Sequence, residues 1–173
     1  MSDKPGTFDF AGQKARNLAR WTATGWDELA AFIGPNAERF EHSWMETRRK
    51  IVDGKGGIAA SFCWPALLFS FAWFFYRKMW ILGGILLAAP AALALLDVNP
   101  GASLGGALAM ALFGKSIYVQ HAVGRIADIR ERRGGDRELA LAGGVSTLGG
   151  AGGGLILALG SAALVYSMVE GWP

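Results

Sequence analysis

Few side chains in this 173-residue sequence have the types and spacing that metal-dependent or nucleophilic chemistry requires. The nitrogen and sulfur ligands are His42, His121 and Cys63, which lie in separate segments without a Cys-x-x-Cys or His-x-x-x-His pair. A metal site needs several such ligands to converge. A cysteine nucleophile needs a neighbouring base, so we expect Cys63, beside Trp64, to pack as a small hydrophobic residue. The sequence therefore predicts no catalytic residues, no metal site and no cofactor.

One ionisable side chain, Lys115, falls within a long apolar stretch, residues 99–124. Ionisable residues at membrane depth are candidates for function, and here Tyr118 and His121 follow Lys115 at helical spacing. These three side chains are thus a possible intramembrane polar site. The alternative is that the Lys115 stem extends toward the membrane interface and that Tyr118, His121 and Arg125 form a boundary stripe. No carboxylate interrupts the apolar stretches, which argues against proton-coupled transport.

The glycine-rich stretch at 142–154 does not match a phosphate-binding loop, because no Gly-Lys-Ser/Thr follows it. Its glycines instead recur at spacings that let two helix backbones approach closely in lipid. The candidate packing residues are Gly149, Gly150, Gly153 and Gly154. We expect them to contact another helix, either within the chain or in a second chain.

An arginine-rich segment at 125–138 does not indicate nucleic-acid binding. It holds five arginines against four acidic residues, and we expect it to form a charged loop. Anionic lipid headgroups attract cations that lie beside a membrane, which is a sufficient explanation for this cluster. We therefore expect a lipid bilayer, and no nucleic acid, as a partner.

The elements that position these residues are dominated by uncharged apolar runs. The sequence is 52% apolar and 18% charged, and residues 79–96 and 139–169 hold no charge. Eighteen or more apolar residues cover the roughly 30 Å hydrocarbon core of a bilayer as a helix. The start, residues 1–14, lacks the pattern of a cleaved signal peptide. The sequence thus predicts an all-α integral membrane protein with a membrane domain at 58–173.

Residues 1–57 form a polar N-terminal region with amphipathic helices. In WDELAAFIG (26–34), Trp26, Leu29 and Ile33 share one helical face. A second helix, about 36–52, places Phe40 and Trp44 on one side. Basic helices that bear tryptophan can lie in a membrane interface, whereas the same pattern also suits a small helical bundle. Both alternatives stay open at this point.

Two adjacent cations, Arg77 and Lys78, interrupt the apolar sequence. Cytoplasmic loops are enriched in Lys and Arg, so this pair is expected to face the cytoplasm. Pro65 favours a helix start at that position, and the helix to Tyr76 is then too short to cross. We therefore expect residues 62–78 to form an interfacial or re-entrant helix. Its predicted membrane-interface anchors are Trp64, Trp73, Tyr76, Arg77, Lys78 and Trp80.

Three transmembrane helices follow in this interpretation, at about 79–96, 101–121 and 146–169. The link at 97–101 has no cation and is expected on the far side. The N-terminus is then cytoplasmic and the C-terminus periplasmic. A rival arrangement has four crossings and an external N-terminal region, but it places the cations of residues 48–55 outside.

The stretch FCWPALLFSFAWFFYRKMW (62–80) resembles a widespread family of small bacterial inner-membrane proteins of unknown function. The matching pattern is a Trp, a second Trp nine residues later, then Tyr-Arg-Lys-Met. FIGPNAERF (32–40) and LFGKSIYVQH (112–121) are similar to two weaker elements of that family. Ser70-Phe71 replaces a frequent Gly-Pro, which implies a straighter helix here, and Cys63 and Lys115 stand where Asn is frequent.

The resemblance implies an integral protein of the bacterial cytoplasmic (inner) membrane and supplies no activity; the multi-pass topology follows from the three predicted spans. We expect a non-enzymatic accessory or scaffold subunit that binds a larger membrane complex or another copy of itself through glycine-rich faces. The alternative is a small oligomeric transporter or channel-like protein, with Lys115 and Tyr118 lining a path.

Overall fold

The computed structural model describes residues 9–96 and 101–170, which form α-helices joined by turns and contain no strand. The predicted all-α class is therefore confirmed. Residues 97–100, which make up most of the link predicted on the far side at 97–101, and the ends 1–8 and 171–173 lie outside the described residues. The helices are α1 (Phe10–Ala23), α2 (Trp26–Ile33), α3 (Glu38–Val52), α4 (Trp64–Phe69), α5 (Phe71–Tyr76), α6 (Trp80–Leu95), α7 (Gly101–Glu131), α8 (Asp136–Ala142) and α9 (Thr147–Glu170).

The three N-terminal helices bury their apolar faces against the second half of α7. From α1–α3 come Trp21, Leu29 and Phe40, and from α7 come Val119 and Ile126, all buried in one core. An apolar face that already contacts protein is not free to enter a membrane interface, so the helical-bundle alternative fits the structure. The core crosses the predicted boundary at 57/58, because helices from both sides of it share these contacts.

Residues 125–138 were expected to form a charged loop, and the structure corrects this expectation, because α7 extends to Glu131. Helix α7 runs without interruption for 31 residues and includes the first half of the predicted charged loop. Its apolar side chains beyond Ser116 are covered by protein. Its charged side chains reach the N-terminal helices: Arg20 lies 3.2 Å from Asp128, and Arg130 donates to Glu28. These polar and apolar contacts together keep the segment helical.

The predicted continuous helix at 62–78 is wrong, because the chain breaks at Ser70 into α4 and α5. Ser70 has φ of 41° and ψ of −121°, a backbone region that side chains with a Cβ rarely adopt. Pro65 lies in the first turn of α4, as predicted. A straighter helix was expected here because Ser70-Phe71 replaces the family's frequent Gly-Pro. The break at Ser70 shows that this expectation is wrong. The break lets α5 turn and pack against both α6 and α9.

Helices α6 and α9 are apolar and lie at the edge of the shared core, which α6 contacts through Leu82 and Leu86. Their bounds agree closely with the predicted spans at 79–96 and 146–169. Ile81 on α6 is 84% exposed and Leu148 on α9 is 86% exposed. Among the described residues, one helical stretch, Asp136–Ser167, is long and apolar enough to cross a membrane, while α6 is apolar but shorter.

Candidate functional site

Lys78 connects the start of α6 to the turn that precedes α9. Its backbone is left-handed, with φ of 59°, and its ammonium group donates to the carbonyl oxygens of Leu141 at 2.8 Å and Gly143 at 2.6 Å. These acceptors lie at the C-terminus of α8, where a positive charge is favoured. Nearby, the Ser146 amide donates to the Tyr76 carbonyl at 2.7 Å. The two apolar helices therefore begin beside each other.

Arg77 lies inside the protein, with only 8% of its surface exposed. The guanidinium carbon is 4.7 Å from the centre of the Phe40 ring and 5.0 Å from that of Tyr118. Such cation–π contacts stabilise a guanidinium without neutralising its charge. Its Nε and Nη1 are buried and have no hydrogen-bond partner in the described part of the chain. A buried cation of this kind normally requires an anion.

A cavity of about 420 Å³ adjoins this guanidinium, and we call it the cationic cavity. Its charged lining residues are Arg39 from α3, Arg77 after α5 and Lys115 from α7, with no carboxylate among the residues that line it. The side chains of Arg39 and Lys115 form no hydrogen bond or ion pair with any residue that the structure describes. The remaining wall is Asn36, Phe40, Phe62, Cys63, Trp64, Pro65, Trp73 and Tyr76. Three cations therefore converge without an internal counter-charge.

The cationic cavity lies where the three family-like stretches of the sequence meet. Residues 32–40 supply Arg39, the block at 62–80 supplies Arg77, and residues 112–121 supply Lys115. Sequence reasoning missed Arg39 and Asn36, because periodicity does not reveal which distant segments meet. The resemblance of all three stretches to one family was the available signal.

An apolar groove of about 430 Å³ shares three wall residues, Pro65, Trp73 and Tyr76, with the cationic cavity. The rest of its lining is Phe69, Ala72, Thr147, Gly150, Ala151 and Gly154. No charged side chain lines this groove. The two concavities therefore combine a cationic end with an apolar end.

The predicted polar site of Lys115, Tyr118 and His121 is not a single site in the structure. Lys115 lines the cationic cavity, whereas Tyr118 is enclosed by aromatic rings and lies 5.1 Å from Phe40, centre to centre. His121 lines a different cavity, of about 610 Å³, together with Arg125 and Lys78. Lys115, Tyr118 and His121 follow one another at intervals of about one helical turn along α7, but each has different neighbours in the fold.

The predicted membrane-interface anchors divide into two groups. Trp64 and Trp80 are exposed, as an anchor must be, whereas Tyr76 and Lys78 are half-buried. Trp73 and Arg77 are buried against protein, so the anchor role predicted for them does not fit their position. The physical reason is aromatic packing: Trp73 lies 6.2 Å from Tyr118 of α7, ring centre to ring centre, and Arg77 lies over Tyr118 and over Phe40 of α3.

The predicted glycine packing site contacts α5 of the same chain. A Cβ atom on Gly149 would lie 2.7 Å from the Phe75 carbonyl oxygen, and one on Gly153 would lie 2.8 Å from the Ala72 Cα. Gly150 meets the Tyr76 ring, whereas Gly154 has no atom within 4 Å of an added Cβ and lines the apolar groove. Three of the four predicted glycines thus allow close helix packing within the chain.

Within residues 9–96 and 101–170, no group of three or more His, Cys, Asp or Glu side chains could hold a metal ion. Cys63 is buried, as expected for a small hydrophobic residue, and lines the cationic cavity.

Fold and site together define an all-α protein whose N-terminal helices share a core with α7 and whose apolar helices are exposed. The chain belongs to the family described as "Protein of unknown function (DUF2628)", whose profile matches residues 7–123. The predicted membership of a family of unknown function is thereby confirmed. The match includes all the residues named above as lining the cationic cavity and ends before α8 and α9. No curated protein and no solved structure matches the chain.

Proposed function

We propose that this chain is a non-enzymatic integral protein of the bacterial cytoplasmic membrane that serves as an accessory or scaffold subunit. The observation that carries the proposal is the exposure of helix α9. A core helix of a water-soluble protein is mostly buried, whereas only 12% of the most apolar window in the Asp136–Ser167 stretch is buried. Exposed apolar surface of this extent needs a bilayer or a partner to cover it.

In the proposed arrangement, α6 crosses outward, the first half of α7 returns and α9 crosses outward. Helix α9 has 24 residues, a length of roughly 36 Å, which exceeds the hydrocarbon thickness. Helix α6 has 16 residues, roughly 24 Å, and a bilayer accommodates such a short span by local thinning. The hydrogen bonds of Lys78 support this arrangement, because they place the starts of α6 and α9 side by side.

The N-terminal helices, α8 and the second half of α7 form the cytoplasmic part of the proposal. The cations of α3 and the arginines near the end of α7 lie in this part, as the charge asymmetry of membrane proteins favours. Small residues on exposed helix faces, such as Gly160, have no atom within 4 Å of an added Cβ and leave room for a partner helix. No observation favours the transporter alternative, since Tyr118 is enclosed and cannot line a path.

The test is fractionation of bacteria that express the full chain. We expect the protein to stay with membranes after alkaline carbonate extraction, to float with them in a density gradient and to be released by detergent. Recovery in the carbonate supernatant would contradict the membrane assignment. After purification in mild detergent, a stoichiometric larger partner is the result expected for a scaffold. A defined homo-oligomer around a water-filled pore would instead support a transporter.

A further inference from the structure

The charges of the cationic cavity indicate what it binds. Arg39, Arg77 and Lys115 converge on it, and each lacks a carboxylate partner among the described residues. A phosphate group supplies both negative charge and several acceptor oxygens, and a guanidinium matches its geometry. The buried position of Arg77 makes the missing counter-charge costly, because few water molecules can screen it.

The adjoining apolar groove indicates that this phosphate belongs to an amphiphile. The groove begins at Pro65, Trp73 and Tyr76, which also line the cationic cavity, and continues along α9 to Gly154. Free inorganic phosphate would leave this surface uncovered, whereas an acyl chain would fill it. The volumes, about 420 and 430 Å³, are in the range of small-molecule sites.

We infer that the cationic cavity binds the phosphate of an anionic phospholipid and that the apolar groove holds one of its acyl chains. The inference deepens the proposed function and rests on it, because it assumes that both concavities open toward a bilayer. Arg39 and Lys115 contact the phosphate from the cavity wall. Arg77, which is buried, adds positive charge from the inner side of the cavity. The aromatic side chains of Trp73 and Tyr76 line both the polar and the apolar part, at the boundary where such residues are favoured.

The test is native mass spectrometry of the full chain in detergent, with phosphatidylglycerol and phosphatidylcholine of identical acyl chains as probes. We expect the anionic lipid to bind at least about tenfold more tightly than the zwitterionic lipid, because both carry a phosphate but the choline group adds a positive charge beside the three cations of the cavity. Equal binding of the two lipids would overturn the inference.

Variants locate the site without disturbing the core around Arg77. Arg39 is exposed and Lys115 is half-buried, so Arg39→Gln and Lys115→Met are expected to fold. Each should weaken phosphatidylglycerol binding by about tenfold, through loss of one charged contact. Lys14→Met is the matched control, because Lys14 is exposed on α1 and does not line the cavity, and it should bind like the parent. Parental binding by both cavity variants would contradict the inference.

Two glycine variants test the apolar groove. Gly154→Leu should fill the groove and weaken lipid binding, since Gly154 lines it and no atom lies within 4 Å of an added Cβ. Gly152→Leu is the control, because Gly152 is equally unobstructed but lies outside the groove. If Gly154→Leu binds the lipid unchanged and inorganic phosphate competes fully, the cavity is a free-phosphate site and the lipid assignment is wrong.

Membrane insertion and lipid binding have separate readouts. Recovery of the chain in the carbonate supernatant would contradict the membrane proposal whatever the chain binds. Membrane recovery with equal affinity for the two phospholipids would leave the membrane proposal in place and overturn the lipid site.

Discussion

The ammonium nitrogen of Lys78 lies 2.6 Å from the carbonyl oxygen of Gly143 and so joins the start of α6 to the turn before α9. The backbone of Lys78 is left-handed at this contact, with φ of 59°. The adjacent Arg77 points instead into the aromatic core. Two neighbouring cations within an apolar sequence therefore have two different internal partners.

The Lys78 contact predicts the effect of removing its charge. Lys78→Met should lower the free energy of unfolding by about 1–3 kcal/mol, because it removes hydrogen bonds from a charged donor to two carbonyls. The measurement is thermal unfolding in detergent. Lys55→Met is the control: Lys55 is exposed, its 3.8 Å ion pair with Asp53 is at the surface, and its loss should have little effect. Equal stability of the two variants would contradict the structural role of Lys78.

Replacing two adjacent glycines on α9 with alanine should have different effects on stability. Gly153→Ala places a Cβ 2.8 Å from the Ala72 Cα, so α5 and α9 must separate, at a cost of about 1–3 kcal/mol. At Gly152 no atom lies within 4 Å of an added Cβ. Since alanine has a higher helix propensity than glycine, Gly152→Ala should leave stability unchanged or raise it. Thermal unfolding of both variants checks the prediction. Identical shifts would mean that α9 does not pack on α5 through Gly153.

The sequence predicted the apolar helices well and the contacts between segments poorly. Uninterrupted apolar runs fix the bounds of α6 and α9, because length and composition are local properties. The end of α7 was wrongly predicted to be a loop, because its mixed charges suit a loop and an exposed helix face equally. The pattern also does not reveal that Arg77 lies beneath Phe40, a residue of α3, since that contact depends on how distant helices pack.

The break at Ser70 predicts a stabilising substitution. A side chain at φ of 41° stores strain that glycine does not experience, so Ser70→Gly should raise stability by about 1 kcal/mol after the larger entropy of the unfolded glycine chain is included. Ser70→Ala retains a Cβ and should give no such gain. Thermal unfolding compares the two. A higher midpoint for the alanine variant than for the glycine variant would contradict the strained geometry.

A buried hydroxyl on α7 holds two other segments. Ser116 Oγ lies 2.8 Å from Thr47 Oγ1 and accepts from the Ala59 amide at 3.1 Å. Ser116→Ala leaves these buried groups without a partner and should cost about 1–3 kcal/mol. Ser161→Ala is a matched control in mid-helix, since Ser161 is exposed and, within the described part of the chain, its hydroxyl donates to the Leu157 carbonyl alone, at 2.9 Å. Comparable losses in the two variants would contradict the assigned role of Ser116.

The membrane arrangement is tested most directly by labelling with a membrane-impermeant thiol reagent. Single cysteines replace Arg137 on α8 or Glu170 at the end of α9, in a Cys63→Ala background that removes the one native cysteine. In intact bacteria the account predicts labelling at position 170 and none at 137, with both positions labelled after the cells are disrupted. Labelling at 137 in intact cells, or protection of both positions, would contradict an outward crossing by α9 from a cytoplasmic helical unit.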